Sequence, residues 1–194
     1  ESFKYFESLH LSEIRRLLAV NETLRSIARK DLIPNSTLHN FDHIVCVHSR
    51  RGDFLHSLEQ APSTEEFTVP AVDFVLRQLT SESRVAHPLV VMMGDDLNWQ
   101  RETARKIKSA ETVVLPRTNS SSSPSIDWQF SEIYCDTVLL TASASTFGWW
   151  AAYVSKGQQV YYNSVYGKGD RFGDNLDPVD FFPHSWTSLE LDNS

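Results

Sequence analysis

Six consecutive residues, His48-Ser49-Arg50-Arg51-Gly52-Asp53, hold the most chemically suggestive grouping in this chain. A guanidinium is a planar fork of donors that grips phosphate oxygens in a bidentate way. Two adjacent arginines with a flexible Gly52 behind them suit a diphosphate, and Asp53 suits holding one guanidinium or bonding a substrate hydroxyl. Directly upstream, His43-Ile44-Val45-Cys46-Val47 is an apolar, β-branched run, the pattern of a buried strand. Ligands of open α/β sheets bind beyond the carboxyl ends of the strands, which is where these arginines would sit. The ordinary fate of an Arg-Arg pair is solvated surface, so position has to be weighed with what surrounds it. Arg51-Gly52-Asp53 also spells an adhesion tripeptide, but it leaves a buried strand with no spacer and lacks a mobile loop tip.

A second grouping, Ser143-Ala144-Ser145-Thr146-Phe147-Gly148-Trp149-Trp150, lies between another predicted strand and a helix. A helix start offers a capping hydroxyl, orphan first-turn N–H groups and the positive end of the dipole, which together favour an anion. A Ser/Thr pair alone is most often a plain N-cap; its weight here comes from two anion-suited turns in one sheet. Phe147, Trp149 and Trp150 read as core packing. Gly94-Asp95-Asp96 ends a third strand, and its adjacent carboxylates point apart, so contact with a base or ribose, or capping of the helix at Leu97, is preferred to metal binding. No Asp-x-Asp triplet occurs, and no metal site is expected. Cys46 and Cys135 read as two buried thiols, too few for a metal site.

The elements that must position these groups follow from periodicity. A helix is predicted from Ser12, its N-cap, to Lys30, with Ile14, Leu17, Leu18, Leu24 and Ile27 on the apolar side. Residues 55–69 read as loop, 71–79 as helix, 89–93 as strand and 98–107 as helix. Strand 112–115, a serine-rich loop over 119–125, helix 127–135, strand 137–140, helix 145–155 and strand 159–162 complete the pattern, and the tail after Tyr166 is expected to wrap the surface. Strands alternating with helices give an α/β fold, a Rossmann-like parallel sheet with helices on both faces. Residues 1–40 read as an N-terminal helical segment and 41–194 as the Rossmann-like domain.

The 194 residues, 41% hydrophobic and 22% charged, suit one globular domain. A formal charge of −7 argues against nucleic acid as a partner. No apolar run approaches the roughly 20 residues needed to span a bilayer. The chain opens on Glu1-Ser2-Phe3-Lys4, with neither Met nor a secretory signal, and reads as a fragment or trimmed chain. Sequons at Asn21, Asn35 and Asn119 favour N-glycosylation in a lumenal or secreted setting.

Taken together these residues resemble the α-1,2-fucosyltransferases, inverting enzymes with a His-x-Arg-Arg-x-Asp motif. His48 to Asp53 matches that motif in full; Gly94-Asp95-Asp96-Leu97-Asn98-Trp99 and Ser145-Thr146-Phe147-Gly148-Trp149-Trp150-Ala151-Ala152-Tyr153 are similar to two further segments, and Ser2-Phe3-Lys4-Tyr5-Phe6 to the family's lead-in. The resemblance implies the donor-binding half of a GT-B type enzyme that moves L-fucose from GDP-L-fucose to the 2-hydroxyl of galactose on a glycan, without metal or cofactor. It implies that Arg50 and Arg51 grip the diphosphate, that His48 and Asp53 orient the loop or touch the donor, and that Ser145 and Thr146 contact the phosphates. Asp95 and Asp127 would line the donor pocket, and Asp53 is the candidate general base. The acceptor half and a membrane anchor would lie outside this chain, with the catalytic domain in the Golgi lumen. Ser49 stands where the family has an apolar residue, and the interval from Cys135 to Ser145 is a residue or two long. Other readings are a non-catalytic nucleotide-sugar-binding protein and a fucosyltransferase acting on core glycans or protein hydroxyls.

Overall fold

One parallel sheet organises the chain, and a computed structural model describes residues 2–19, 22–30, 32–81, 85–115, 124–168 and 177–190 of it. Its strands are β1 (His43–Ser49), β2 (Pro88–Gly94), β3 (Glu111–Val114), β4 (Thr137–Leu140), β5 (Gln159–Asn163) and β6 (Thr187–Leu189). They lie in the order β3-β2-β1-β4-β5-β6 and every pairing is parallel. Registers such as Val45↔Val90 and Val45↔Thr137 place β1 between its two partners. This is the strand order of a doubly wound nucleotide-binding sheet.

Side chains alternate across the strands, so the two faces bury different sets. Ile44, Cys46, Leu89, Val91, Met93, Val138 and Leu140 belong to one core. Helices α2 (Glu22–Lys30), α6 (Pro124–Tyr134), α7 (Thr146–Tyr153) and the short α8 (Pro178–Phe181) cover it. Val45, Val47, Val90, Met92 and Leu139 belong to the other, beneath α4 (Glu65–Ser81) and α5 (Leu97–Ala104). Each fully buried Val, Leu or Ile contributes about 1.5–3 kcal/mol; β1 and β2 are buried at every position but the first, and β4 at all four.

The N-terminal segment joins the same core through Phe3, Ala28, Leu32, Ile33 and Leu38. Its first helices are α1 (Leu11–Leu17), α2 and α3 (Asn35–Leu38). Arg15 donates to the carbonyls of Val154 and Ser155, and Arg25 pairs with Glu132 at 3.1 Å. The single helix expected over 12–30 is therefore two. The shared apolar stripe assumed one straight axis, and the break after α1 leaves Leu17 71% exposed.

Other boundaries moved for local reasons. Helix α4 begins at Glu65, inside the stretch expected to be loop. There the Thr64 hydroxyl accepts from the Phe67 N–H at 3.3 Å and two acidic residues fill the first turn. Helix α6 starts at Pro124, and a proline, whose ring fixes φ near the helical value, suits a first helical turn. The tail does more than wrap the surface: it returns to the sheet as α8 and β6. Asn35 opens α3, whereas Asn21 and Asn119 lie outside the described residues.

The reading of Cys46 and Cys135 as thiols is corrected, because they form a disulfide that ties the middle of β1 to the end of α6. Asp136 creates the approach: its carboxylate accepts the Ile44 N–H at 3.0 Å and its own N–H donates to the Ile44 carbonyl at 2.9 Å. The two Cα atoms are 5.6 Å apart although 89 residues separate them in sequence. Chain-entropy arguments give such a long loop about 4–5 kcal/mol of stabilisation, and a bond of this kind persists in oxidising compartments. Replacing both cysteines by alanine is expected to lower urea-unfolding stability by about 2–5 kcal/mol. Reductant should have a comparable effect on the wild type and none on the variant; a reductant-insensitive wild type would rule the bond out.

Candidate active site

The strand order reverses between β1 and β4, and the chain leaves these two strands towards opposite faces of the sheet. A crevice opens at such a switch point. Here it is a cavity of about 580 Å³ at the carboxyl ends of β1, β2 and β4. Its wall carries His48, Arg50, Asp53, Asp95, Asp127, Ser145 and Thr146, so segments far apart in sequence meet in one place.

Arg50 presents the cation. Its Nε donates to the Asp53 carboxylate at 2.8 Å and lies 3.3 Å from Asp95, while its guanidinium stands 5.9 Å from the Phe54 ring centroid. Among the described residues Nη1 and Nη2 have no hydrogen-bond partner, which leaves the outer edge of the fork for an anion. The hydrogen bond to Asp53 raises the Arg50 pKa still further, and the same bond holds the Asp53 carboxyl below the ordinary range.

Arg51 plays a different part. It is the one residue of the predicted site that is not on the cavity wall. Its Nη1 donates to the Ser63 carbonyl at 2.7 Å, its Nε to Asp96 at 3.2 Å, and its guanidinium lies 4.9 Å from the Trp99 ring centroid. Asp96 also caps α5, accepting the Trp99 N–H at 3.0 Å, which is the capping role the sequence offered. Asp95 accepts the N–H of Arg51 at 2.9 Å and that of Gly52 at 3.0 Å.

On the opposite wall Ser145 caps α7, its hydroxyl accepting the Gly148 N–H at 3.2 Å. Thr146 is exposed in the first turn, where N–H groups lack intrahelical partners. Phe147 differs from the core role expected for it: it lines the cavity half-buried, its ring stacked on Trp128 at 5.3 Å. Trp128 Nε1 donates to the Phe147 carbonyl at 3.1 Å and fixes that ring. Trp149 is buried, as expected. Asp127, one turn into α6, reaches the wall from behind with 1% exposure.

Sequence reasoning missed the hydroxyl that supports the loop. Ser63 is wholly buried, accepts the Arg50 N–H at 3.0 Å and donates its own N–H to the Arg50 carbonyl at 3.0 Å. Thr141, after β4, lies 2.7 Å from the Ser63 hydroxyl and 2.9 Å from the His48 carbonyl, so the ends of β1 and β4 are joined through hydroxyls. Ser49 is buried as well, and its hydroxyl accepts from Gln100 Nε2 at 3.0 Å. These contacts lie across elements and leave no local signature in the sequence.

The His48 ring, 1% exposed, packs where Gly148 lacks a side chain; a Cβ there would lie 2.4 Å from Nδ1. Gly148→Ala is expected to cost about 1–3 kcal/mol through overpacking and to displace the imidazole from the wall. A urea midpoint equal to that of wild type would contradict this packing.

The chain matches the model of Glycosyl transferase family 11 over residues 1–190. It is 35% identical over 199 aligned residues to a galactoside 2-alpha-L-fucosyltransferase of Caenorhabditis elegans, covering 98% of this chain and 51% of that protein. A putative glycosyltransferase of the same organism is 37% identical over 174 residues, 84% of this chain and 46% of that protein. The galactoside 2-alpha-L-fucosyltransferase SEC1 of Bos taurus is 32% identical over 148 residues, 75% of this chain and 38% of the relative. The chain thus spans about half the length of the curated relatives it matches. An arginine loop and a capped helix start converging on one crevice fit this kinship: the chain belongs to glycosyl transferase family 11.

Proposed function

We propose that this chain is the GDP-L-fucose-binding half of a galactoside 2-α-L-fucosyltransferase. The observation that carries this reading is that Arg50, with Nη1 and Nη2 unbonded among the described residues, lines the same switch-point cavity as the first turn of α7. The names of the relatives supply the sugar and the acceptor class. In this reading the bond from fucose C1 to the diphosphate oxygen breaks, and the departing diphosphate gains charge. Arg50 and the N–H groups at the start of α7 stabilise that charge, so no metal or other cofactor is required. The 2-hydroxyl of galactose attacks C1 from the opposite face, inverting the centre and giving its proton to a base.

Asp53 is poorly suited to be that base. Its hydrogen bond to Arg50 lowers its pKa, which weakens it as a proton acceptor and makes it the counter-ion that aims the guanidinium. Arg51 acts at one remove, bracing the loop through Ser63, Asp96 and Trp99. His48, Asp127 and Phe147 shape the part of the wall available to the nucleoside. The disulfide and the sequons support a lumenal position in the Golgi. Among the described residues no helix is long and apolar enough to cross a membrane, so an anchor in this reading belongs to another segment of the protein.

Calorimetric titration with GDP and GDP-fucose in EDTA, then with manganese added, tests this directly. Binding is expected without metal and should weaken at least about tenfold in Arg50→Lys, since an ammonium lacks the bidentate fork. Absence of GDP binding in either condition would overturn the reading. The pH profile adds a second check. A carboxylate with a lowered pKa keeps its ion pair above the ordinary value near ~4 and loses it only as pH falls through the lower, folded value. GDP affinity should therefore show no Asp53 step between about pH 5 and 8. A step in that window that disappears in Asp53→Asn would overturn the lowered pKa of Asp53 and its counter-ion role.

A further inference from the structure

We infer that Asp95 is the positioning residue of the arginine loop, holding the backbone of Arg51 and Gly52 so that Arg50 faces the cavity, and that it is not a ligand of the nucleoside. This rests on the donor-site reading above and assigns a role different from the base or ribose contact that the sequence suggested. Both carboxylate oxygens are already engaged by the loop. Oδ1 accepts the Arg51 N–H at 2.9 Å; Oδ2 accepts the Gly52 N–H at 3.0 Å and lies 3.3 Å from Arg50 Nε. One side chain just past the end of β2 thus addresses three consecutive residues that follow β1.

The backbone on each side is built for this approach. Gly94 turns the end of β2 with φ +144°, and a Cβ there would lie 2.0 Å from the Ser49 carbonyl oxygen, so the two strand ends close on each other. Gly52 completes the fit from the loop side: a Cβ on it would lie 2.9 Å from Asp95 Oδ2. The glycines at 94 and 52 therefore serve one contact, between a carboxylate and two successive N–H groups.

Two consequences follow for the site. The N–H groups of Arg51 and Gly52 are occupied, so the loop backbone does not itself cradle a phosphate. The Arg50 guanidinium is held at Nε between Asp53 and Asp95, and among the described residues Nη1 and Nη2 have no hydrogen-bond partner. Asp95 thus acts on an anion through Arg50.

The test uses Asp95→Asn, which keeps the shape and removes one acceptor. Its amide NH₂ must face one of the two N–H groups, so one loop hydrogen bond is replaced by a clash of donors. Hydrogen exchange on the unliganded protein should show the Arg51 and Gly52 amides protected in wild type and at least one of them exchanging about tenfold or more faster in the variant. Unchanged protection would overturn the inference whatever the chain binds. Calorimetry then separates positioning from direct contact. GDP affinity should fall about tenfold or more while guanosine affinity stays as in wild type, and the loss should nearly vanish in an Arg50→Lys background. Equal losses for GDP and guanosine would make Asp95 a nucleoside ligand. A wild type that binds no GDP but shows the exchange pattern would leave the positioning role standing and remove the donor-site reading.

Discussion

Strand β1 is hydrogen-bonded to β2 on one side and to β4 on the other, and the whole site depends on that double pairing. The connections from its two neighbours run over opposite faces, so the carboxyl end of β1 is where the covering layers part. A loop placed there is flanked by the ends of β2 and β4 without any further folding. Asp95 reaches it from β2 and Thr141 from β4, so the loop conformation is set by strands whose register is already fixed. The Cys46–Cys135 bond secures the same strand to α6, the helix that brings Asp127 to the wall.

The charges are arranged by division of labour. Adjacent arginines with unlike surroundings do unlike work: Arg50 keeps part of its fork open, while Arg51 is spent on a carbonyl, a carboxylate and an indole face. Three aspartates near them also differ. Asp96 caps a helix, Asp95 holds backbone N–H groups, and Asp53 balances Arg50. A carboxylate that accepts two backbone N–H groups gains geometry as well as charge stabilisation, which makes it a better scaffold than a surface ion pair of comparable distance.

Much of the fold could be read from periodicity. Five strands and most helices follow from apolar runs and caps, because a buried strand between two helical layers needs a nearly continuous apolar sequence. β6 escaped because Leu189 is the one buried residue in a three-residue edge strand, too short to show alternation. Helix α4 was shortened because its capping turn, Thr64-Glu65-Glu66, is polar in a way that loops also are. The long N-terminal helix was split by a break that its apolar spacing did not betray.

The sequence by itself determined that an arginine loop and a capped helix start follow the ends of two strands, since residue type and neighbouring pattern decide both. Tertiary structure alone decided which arginine faces the cavity, that Asp95 serves the loop, that Phe147 turns to the wall and that the two cysteines join. Ser63 and Thr141 became the link between β1 and β4 in the same way. The physical reason is common to all of these. Local pattern fixes backbone conformation over a few residues, whereas the partner of a guanidinium, carboxylate or thiol is whatever group packing brings within about 3–4 Å, and here those groups come from distant parts of the chain.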